Sequence, residues 1–176
     1  HKNGAERIFE AYKKINKKYD LIVDIQGDEP LISPIHIDQV INFHKKNLEA
    51  DIVLPTLKVK NKNNTNIVKV IKDIKNYVLY LSRGNIPFEY KKSTARLDKH
   101  LSIISFLPKA LENFALHKKT SLEKIEDIEL LRALEIVLKI KTLSLKGDSF
   151  SVDILKDFNE ASKKMTNDKF FKLYKF

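Results

Sequence analysis

The acidic segment Gln26-Gly27-Asp28-Glu29-Pro30 is the first part of the chain whose residue types could do chemistry. Asp28 and Glu29 offer hard carboxylate oxygens of the kind that Mg²⁺ prefers, and Gly27 lets the backbone approach a ligand closely. An ordinary Gly-Asp turn has the same composition, and the segment alone favours that simpler interpretation. It indicates a metal and nucleotide site only if other groups join it.

A second carboxylate, Asp153, follows the short apolar segment 150–152 and precedes a helical pattern. At the end of a strand it could share a metal ion with Asp28. The alternative is a helix N-cap, in which the carboxylate only accepts a backbone N–H, and without further context that alternative is favoured.

The composition gives no support to several other classes of catalytic site. The chain has no cysteine, which excludes disulfides, thiolate nucleophiles and Cys-based zinc sites and agrees with the cytoplasmic location that we predict. Its 5 histidines are dispersed and lack the HExxH spacing of zinc hydrolases. Serine-hydrolase elbows, Walker loops and GxGxxG motifs are also absent.

The charge of the chain is strongly basic, with 33 Lys and Arg against 23 Asp and Glu and a net charge of +10. The lysines occur as scattered pairs among acidic residues, a pattern typical of a solvated surface, and we predict no nucleic-acid partner. No apolar run approaches the roughly 20 residues that cross a bilayer, so we predict no membrane insertion. Because the sequence begins at His1, we expect it to be part of a longer protein.

Hydrophobic periodicity predicts helices over 5–15 and 34–44 and strands over 21–25 and 51–57. This alternation predicts an α/β fold. The first strand is mostly β-branched and stops just before Gly27, which places the acidic segment at the carboxyl end of a strand, where α/β sheets bind ligands.

Further along the chain, strand-like runs at 67–71, 78–81 and 100–106 predict antiparallel strands, which we interpret as an arm of about residues 62–107. A helix is expected from Pro108 and a last strand over 140–145. No linker or repeat interrupts the sequence, so residues 1–176 are predicted to form a single domain.

The segment Thr120-Ser121-Leu122-Glu123 matches a capping box and predicts one long helix. Its polar positions include Glu129 and Arg132, which are spaced for a local ion pair. The predicted buried stripe consists of Leu122, Ile125, Ile128, Leu131 and Leu134.

Seven motifs follow one another along the chain: HKNGAER, LIVDIQGDEPLI, NIVKVI, LYLSRGNIPF, HLSII, SLEKIEDIELLRALE and SVDILKDF. In this order they resemble the motifs of CMP-Kdo synthetases, the 3-deoxy-manno-octulosonate cytidylyltransferases of lipopolysaccharide and capsule biosynthesis. The resemblance covers nearly the whole chain except the basic tail. The family's segment P-A-R-x-x-S-x-R-L-P-G-K, which supplies its triphosphate loop, does not occur in the sequence.

The resemblance implies a GT-A-like, Rossmann-like nucleotidyltransferase fold with a mixed central sheet, here without its N-terminal strand-loop unit. Members act as homodimers on CTP and a sugar acid, with Mg²⁺ as cofactor. The C2 hydroxyl of the sugar attacks the α-phosphate of CTP, and pyrophosphate leaves. Because the sequence lacks the triphosphate loop, we expect the chain as given to be inactive.

Site residues follow from the resemblance by motif position. The catalytic set would be Asp28, Asp153 and Arg83, with Mg²⁺ held by the two aspartates. The substrate-binding set would be Gln26, His100, Glu129, Asn3, Gly4 and Ala5, the last three on the cytosine side.

The sequence departs from the family motifs at several positions: Ala5, Ile104 and Leu130 stand where the family has Thr, Tyr and Gln, and Ser151 and Ile154 stand where it has Gly and Thr. Each lost hydrogen bond costs about 1–3 kcal/mol if it leaves a ligand group unpaired. The acceptor could therefore be another 3-deoxy sugar acid, or the chain could be a homologue that keeps the fold without the reaction. A basic nucleotide- or nucleic-acid-binding domain is the alternative from a different class.

Overall fold

The structure is a computed structural model that describes residues 4–59, 64–91, 96–147, 149 and 151–174. The predicted site residue Asn3 lies outside the described residues.

The helices are α1 (Gly4–Ile15), α2 (Pro34–Lys45), α3 (Pro108–Leu116), α4 (Ser121–Glu126), α5 (Leu130–Glu135) and α6 (Leu155–Met165), followed by a 3-10 helix (Phe171–Tyr174). The strands are β1 (Ile22–Ile25), β2 (Ile52–Val59), β3 (Lys69–Lys72), β4 (Val78–Ser82), β5 (Leu97–His100), β6 (Ile103–Phe106) and β7 (Ile140–Ser144). In the described ranges, no helix is both long and apolar enough to cross a membrane.

The strands form one mixed sheet in the order β1-β6-β2-β5-β3-β4, and β7 pairs with β2. Both β1 and β2 run antiparallel to β6, whereas β2 and β7 are parallel, so β1, β2 and β7 all point the same way. The predicted mixed sheet is confirmed. The acidic segment follows the carboxyl end of β1 and the chain that leads to Asp153 follows β7, so both leave the same edge of the sheet.

Strands β3, β4 and β5 are antiparallel, as predicted, and continue the sheet outward from β2. The strand predicted over 100–106 is two strands, because the chain turns between β5 and β6. At this turn the amide of Leu101 donates to Pro55 and that of Ile103 donates to Leu101. The turn brings Ser102 beside the acidic segment.

Strand β2 is covered on both faces, and residues 52–57 are all buried. Ile52 and Leu54 belong to a core cluster with residues of α1 and α3, whereas Val53 and Leu57 pack in a second cluster with residues of α2. Each such buried aliphatic side chain contributes about 1.5–3 kcal/mol to folding. Helices therefore cover both faces of the sheet, as the α/β prediction requires.

The predicted long helix from Ser121 is wrong, because α4 and α5 are separated at Asp127, whose backbone is left-handed with φ 51°. Ile125 of the predicted buried stripe is 79% exposed, whereas Ile128 and Leu131 are buried. The break is held by tertiary hydrogen bonds, in which the carboxylate of Glu126 accepts from the hydroxyl of Ser82 at the end of β4 and from the amide of Arg83. Local helix propensity carries no information about such bonds.

Candidate functional site

A cavity of ≈ 290 Å³ lies between the start of α1, the end of β1 and the break between α4 and α5. Five of the predicted site residues line it together: Gly4, Gln26, Arg83, His100 and Glu129. They come from distant parts of the sequence, so the fold and not a local motif brings them into one site.

Arg83 follows β4, and backbone carbonyl groups hold its side chain. Nε donates to the carbonyl of Glu126 at 3.0 Å, and the two Nη atoms donate to the carbonyls of Thr65 and Asp127 at 3.2 Å. The carboxylate of Glu126 also accepts the Arg83 amide at 2.9 Å. A guanidinium has five N–H donors, so donors remain for an anionic ligand.

Lys69 supports the same loop, and sequence reasoning missed it. Its side chain is fully buried, and Nζ donates to the carbonyl of Arg83 at 2.7 Å and to that of Asn64 at 2.8 Å. Burial and the nearby charge of Arg83 lower the pKa of the ammonium. The available signal was a lysine inside the apolar run 67–71.

His100 ends β5, and its Nδ1 is buried without a hydrogen-bond partner among the described residues. Burial lowers the pKa of the imidazole, against the opposing effect of Glu29. The ring is therefore neutral at physiological pH. A neutral imidazole can either donate to or accept from a substrate hydroxyl.

The start of α1 is held by Glu129, whose carboxylate accepts the amide N–H of Ala5. This bond satisfies one of the backbone donors that every helix leaves open at its N-terminus. Gly4 lines the cavity, but Ala5 does not, because its side chain is fully buried in the core. Only the backbone of Ala5 contributes to the site.

Asp24 is a second residue that sequence reasoning missed. It lies on β1 with 4% of its surface exposed, and Oδ2 has no hydrogen-bond partner among the described residues. Burial raises the pKa of this carboxyl group. Burial also raises the pKa of Glu129, to about 7. An acidic residue in a strand with both neighbours apolar was the signal that could have found it.

Asp28 and Asp153 lie outside the cavity, and both are exposed. The loops that carry them are joined, because the amide of Val152 donates to the carbonyl of Asp28 at 2.8 Å. Asp153 is not the N-cap of α6; that position is Ile154, and the carboxylate of Asp157 accepts the amides of Asp153 and Ile154. Among the described residues, the side chain of Asp153 accepts a local bond from the hydroxyl of Ser151, at 3.0 Å.

Glu29, whose carboxylate was considered above as a possible Mg²⁺ ligand, has structural partners. Its carboxylate is buried, with Oε1 accepting the hydroxyl of Ser102 and Oε2 accepting the hydroxyl of Ser149 at 2.6 Å. Lys99 donates from Nζ to the carbonyl of Ser149. Glu29 thus ties the acidic segment to the loop before Asp153, with a serine hydroxyl on each of its carboxylate oxygens.

The predicted ion pair between Glu129 and Arg132 is also wrong. Arg132 is fully buried and binds Glu123 through two nitrogens, Nη2 at 2.6 Å and Nε at 2.7 Å. It also donates to the carbonyls of Phe114 and His117. This network forms the wall of the cavity behind α4.

The residues present fit a magnesium ion that a nucleotide helps to hold. Within the described residues, no cluster of three or more histidine or acidic side chains could hold a metal without further ligands. Asp28 and Asp153 offer exposed oxygens on joined loops, and a Cβ at Gly27 would have no neighbour within 4 Å. Mg²⁺ is commonly bound by one or two carboxylates together with substrate phosphates.

The mixed sheet covered by helices, with a polar cavity and acids at one edge, is a nucleotidyltransferase fold. It is similar to the solved structure of a CMP:2-keto-3-deoxy-manno-octonic acid synthetase complexed with CTP, with a TM-score of 0.88 and 23% sequence identity. The match covers 95% of this chain and 69% of that chain.

The sequence comparisons then identify the family. The family described as Cytidylyltransferase matches residues 1–140, and the chain belongs to this family. A 3-deoxy-manno-octulosonate cytidylyltransferase of Zea mays is 38% identical over 162 residues, which cover 89% of this chain and 54% of the relative. An 8-amino-3,8-dideoxy-manno-octulosonate cytidylyltransferase of Shewanella baltica is 34% identical, covering 94% of this chain and 70% of the relative.

The chain therefore spans about half the length of the maize relative. The expected fold and family are confirmed. The roles of the individual site residues stay predictions.

Proposed function

We propose that the chain is the acceptor-binding part of a cytidylyltransferase that activates a 3-deoxy-octulosonic-type sugar acid with CTP. The C2 hydroxyl of the sugar acid forms a bond to the α-phosphorus, the bond to the bridging oxygen breaks, and pyrophosphate leaves with its electron pair. The observation that carries this proposal is the cavity that unites Gln26, Arg83, His100 and Glu129 beside the edge with Asp28.

In this reaction, the residues of the chain bind and orient the reactants. The free donors of Arg83 would bind the carboxylate of the sugar acid, and neutral His100 and the amide of Gln26 would bind its hydroxyl groups. Asp28 and Asp153 would hold Mg²⁺, which when bound neutralises charge on the triphosphate. Alignment and charge neutralisation, without a covalent nucleophile, are the main requirements of phosphoryl-transfer chemistry.

The family resemblance extends the proposal to the biological setting. The CMP-sugar would serve lipopolysaccharide or capsule synthesis, and the enzyme would work in the cytoplasm as a homodimer. Among acceptors, the maize relative is named for the 8-hydroxy sugar acid and the bacterial relative for its 8-amino counterpart. The buried carboxylate oxygens of Asp24 and Glu129 that lack a hydrogen-bond partner among the described residues favour the 8-amino acid as the second candidate.

Pyrophosphate release tests the proposal. The assay combines CTP, Mg²⁺ and each sugar acid with the 176-residue chain and with any longer product of the same gene. From the longer product we expect release that requires a sugar acid and falls at least about 100-fold in Asp28→Asn, because metal-assisted charge stabilisation is worth several kcal/mol. Asp38→Asn on the exposed side of α2 is the matched control and should retain activity.

The absence of release with every sugar acid would contradict the catalytic proposal. The nucleic-acid-binding alternative predicts a different result, namely salt-dependent binding of random DNA that survives Asp28→Asn. The two functions are thus separated by the same variant.

A further inference from the structure

Lys69 on β3 lies behind the loop that carries Arg83 and has no part in the reaction described above. Its side chain is fully buried. Among the described residues, Lys69 does not line the cavity, although the preceding Val68 does. The ammonium therefore meets no ligand in the cavity, and any contribution that it makes to binding passes through a neighbouring residue.

The ammonium of Lys69 ties together two backbone segments that both hold Arg83. Nζ donates to the carbonyl of Arg83 at 2.7 Å and to the carbonyl of Asn64 at 2.8 Å. The next carbonyl along the chain, that of Thr65, accepts from Nη1 of Arg83 at 3.2 Å. These bonds close a ring, so Lys69 fixes the backbone of Arg83 and also the segment that binds its guanidinium.

The other contacts of Arg83 come from the break between α4 and α5. The carboxylate of Glu126 accepts the amide of Arg83, and the carbonyls of Glu126 and Asp127 accept from Nε and Nη2. Because a guanidinium is planar, bonds to all three of its nitrogens fix the direction of its remaining donors. Lys69 holds the carbonyl end of Arg83 and the Nη1 side, which the break does not reach.

The position of Lys69 costs free energy. Burial, followed by the charge of Arg83, lowers the pKa of the ammonium, because an ion is less stable away from water. An apolar side chain would avoid this cost but would leave the carbonyls of Asn64 and Arg83 without their donor. The N–H donors are therefore what Lys69 contributes to the molecule.

We propose that Lys69 is a positioning residue that holds the guanidinium of Arg83 in the direction that binds the carboxylate of the sugar acid. The inference rests on the proposed function and adds to it a residue that touches no substrate. Charge-assisted bonds between a guanidinium and a carboxylate depend on geometry as well as on charge. Loss of Lys69 should therefore weaken the binding of the sugar acid and leave the binding of the nucleotide unchanged.

Hydrogen exchange of the arginine Nε–H groups tests the positioning without any ligand. In the ¹⁵N-labelled parent chain, the Nε–H of Arg83 is bonded to the carbonyl of Glu126 and should exchange at least about tenfold more slowly than that of the exposed Arg7. In Lys69→Met the Nε–H of Arg83 should exchange at least about fivefold faster than in the parent. Arg132, whose Nε–H is bonded to Glu123, should keep its protection and shows that the variant is folded.

Lys72→Met is the matched control, because Lys72 lies on the same strand and bonds to Asp98 and Ser144 instead of the Arg83 loop. The exchange of Arg83 should stay at the parent rate in this control. Unchanged exchange of Arg83 in Lys69→Met, or an equal change in Lys72→Met, would refute the proposal. Should Lys69→Met fail to fold, Lys69→Gln, which keeps a polar group in the same space, takes its place in each measurement.

Calorimetric binding measures the consequence for the sugar acid in the longer product of the gene. The probe is 3-deoxy-manno-octulosonate, titrated in the presence of Mg²⁺ and a CTP analogue whose α,β-bridging oxygen is a methylene group. Its Kd should rise about tenfold or more in Lys69→Met, as the loss of a charge-assisted bond requires. The Kd of the CTP analogue, titrated alone, should change by less than about twofold, and both should stay at the parent values in Lys72→Met.

Equal weakening of the sugar acid and the CTP analogue in Lys69→Met would indicate general structural damage and would refute the positioning role. If the parent protein binds no sugar acid, the proposed function fails. The exchange rate of the Arg83 Nε–H still decides in that case whether Lys69 positions Arg83, so the two failures are distinguishable.

Discussion

The cavity and the acidic edge hold their functional groups in opposite ways. In the cavity, Arg83 and Glu123 are fixed by several hydrogen bonds each, and Glu123 is almost fully buried. At the edge, the side chains of Asp28 and Asp153 are exposed, and the loops that carry them are joined through the backbone at Asp28 and Val152 and through the side chain of Glu29. Under the proposed function, this difference means that the sugar-side site is built in advance, whereas the metal side would be completed by the nucleotide.

The largest expected effect is that of Arg132→Met. The substitution leaves the carboxylate of Glu123 buried without its partner, and breaking such a pair costs about 3–5 kcal/mol. Urea unfolding should show this loss in the free energy of unfolding. Lys124→Met on the exposed side of α4 is the control, and an effect as small as that of the control would mean that the cavity wall is not fixed by this pair.

A smaller loss is expected for Glu29→Gln, which removes the charge that the hydroxyls of Ser102 and Ser149 share. Stability should fall by about 1–3 kcal/mol, the usual cost of weakening buried charged hydrogen bonds. The Mg²⁺ concentration for half-maximal activity should also rise, because the two acidic loops are no longer tied. Glu112→Gln on α3 is an exposed control. An unchanged Mg²⁺ requirement in Glu29→Gln would mean that Glu29 does not support the proposed metal site.

Glu129→Gln should flatten the pH dependence of stability. The pKa of Glu129 is raised from the ordinary value of 4.5 to about 7, mainly by burial and then by the charge of Asp24. Between pH 4.5 and about 7 the folded chain holds more protons than the unfolded chain, so the free energy of unfolding falls as pH rises. Chemical denaturation should show that the free energy of unfolding of the parent chain is about 2–3 kcal/mol lower at pH 7.5 than at pH 4.5 because of Glu129. Glu129→Gln should lack this contribution. Parallel pH profiles for both proteins would contradict the prediction.

The smallest expected effect is that of Asp28→Asn and Asp153→Asn on stability. Exposed acids without ion-pair partners contribute little, so the free energy of unfolding should change by less than about 0.5 kcal/mol. Thermal unfolding without nucleotide measures this change. A loss comparable to that of Glu29→Gln would show that the acidic edge is as rigidly built as the cavity.

Sequence reasoning predicted those parts of the fold that depend on local pattern. The helix from Gly4 and the strand that ends at Ile25 follow from periodicity and composition, and their positions are confirmed. The turn at Leu101 and the break at Asp127 were not predicted, because distant partners such as Pro55 and Ser82 hold them.

The same distinction applies to the candidate site. Motif order brought out Gln26, Arg83 and His100, which the cavity unites. Asp24 and Lys69 were missed because each lies in an apolar run. The role of a charged residue in such a run can be inferred only when its neighbours in the folded sheet are known. No spacing rule could indicate that Glu29 would bind Ser102 and Ser149 instead of a metal, since these contacts join residues far apart in the chain.

Strand β2 also has a consequence for the order of folding. Its partners are β5, β6 and β7, and the paired residues lie between 38 (Val59 and Leu97) and 88 (Ile52 and Ile140) positions apart in the sequence. Pairings between distant segments form slowly, because the chain must first lose the entropy of closing long loops. The edge that carries Asp28 and Asp153 depends on β1 and β7 being held in place on either side of β2. The metal side should therefore be among the last parts of the molecule to form during folding.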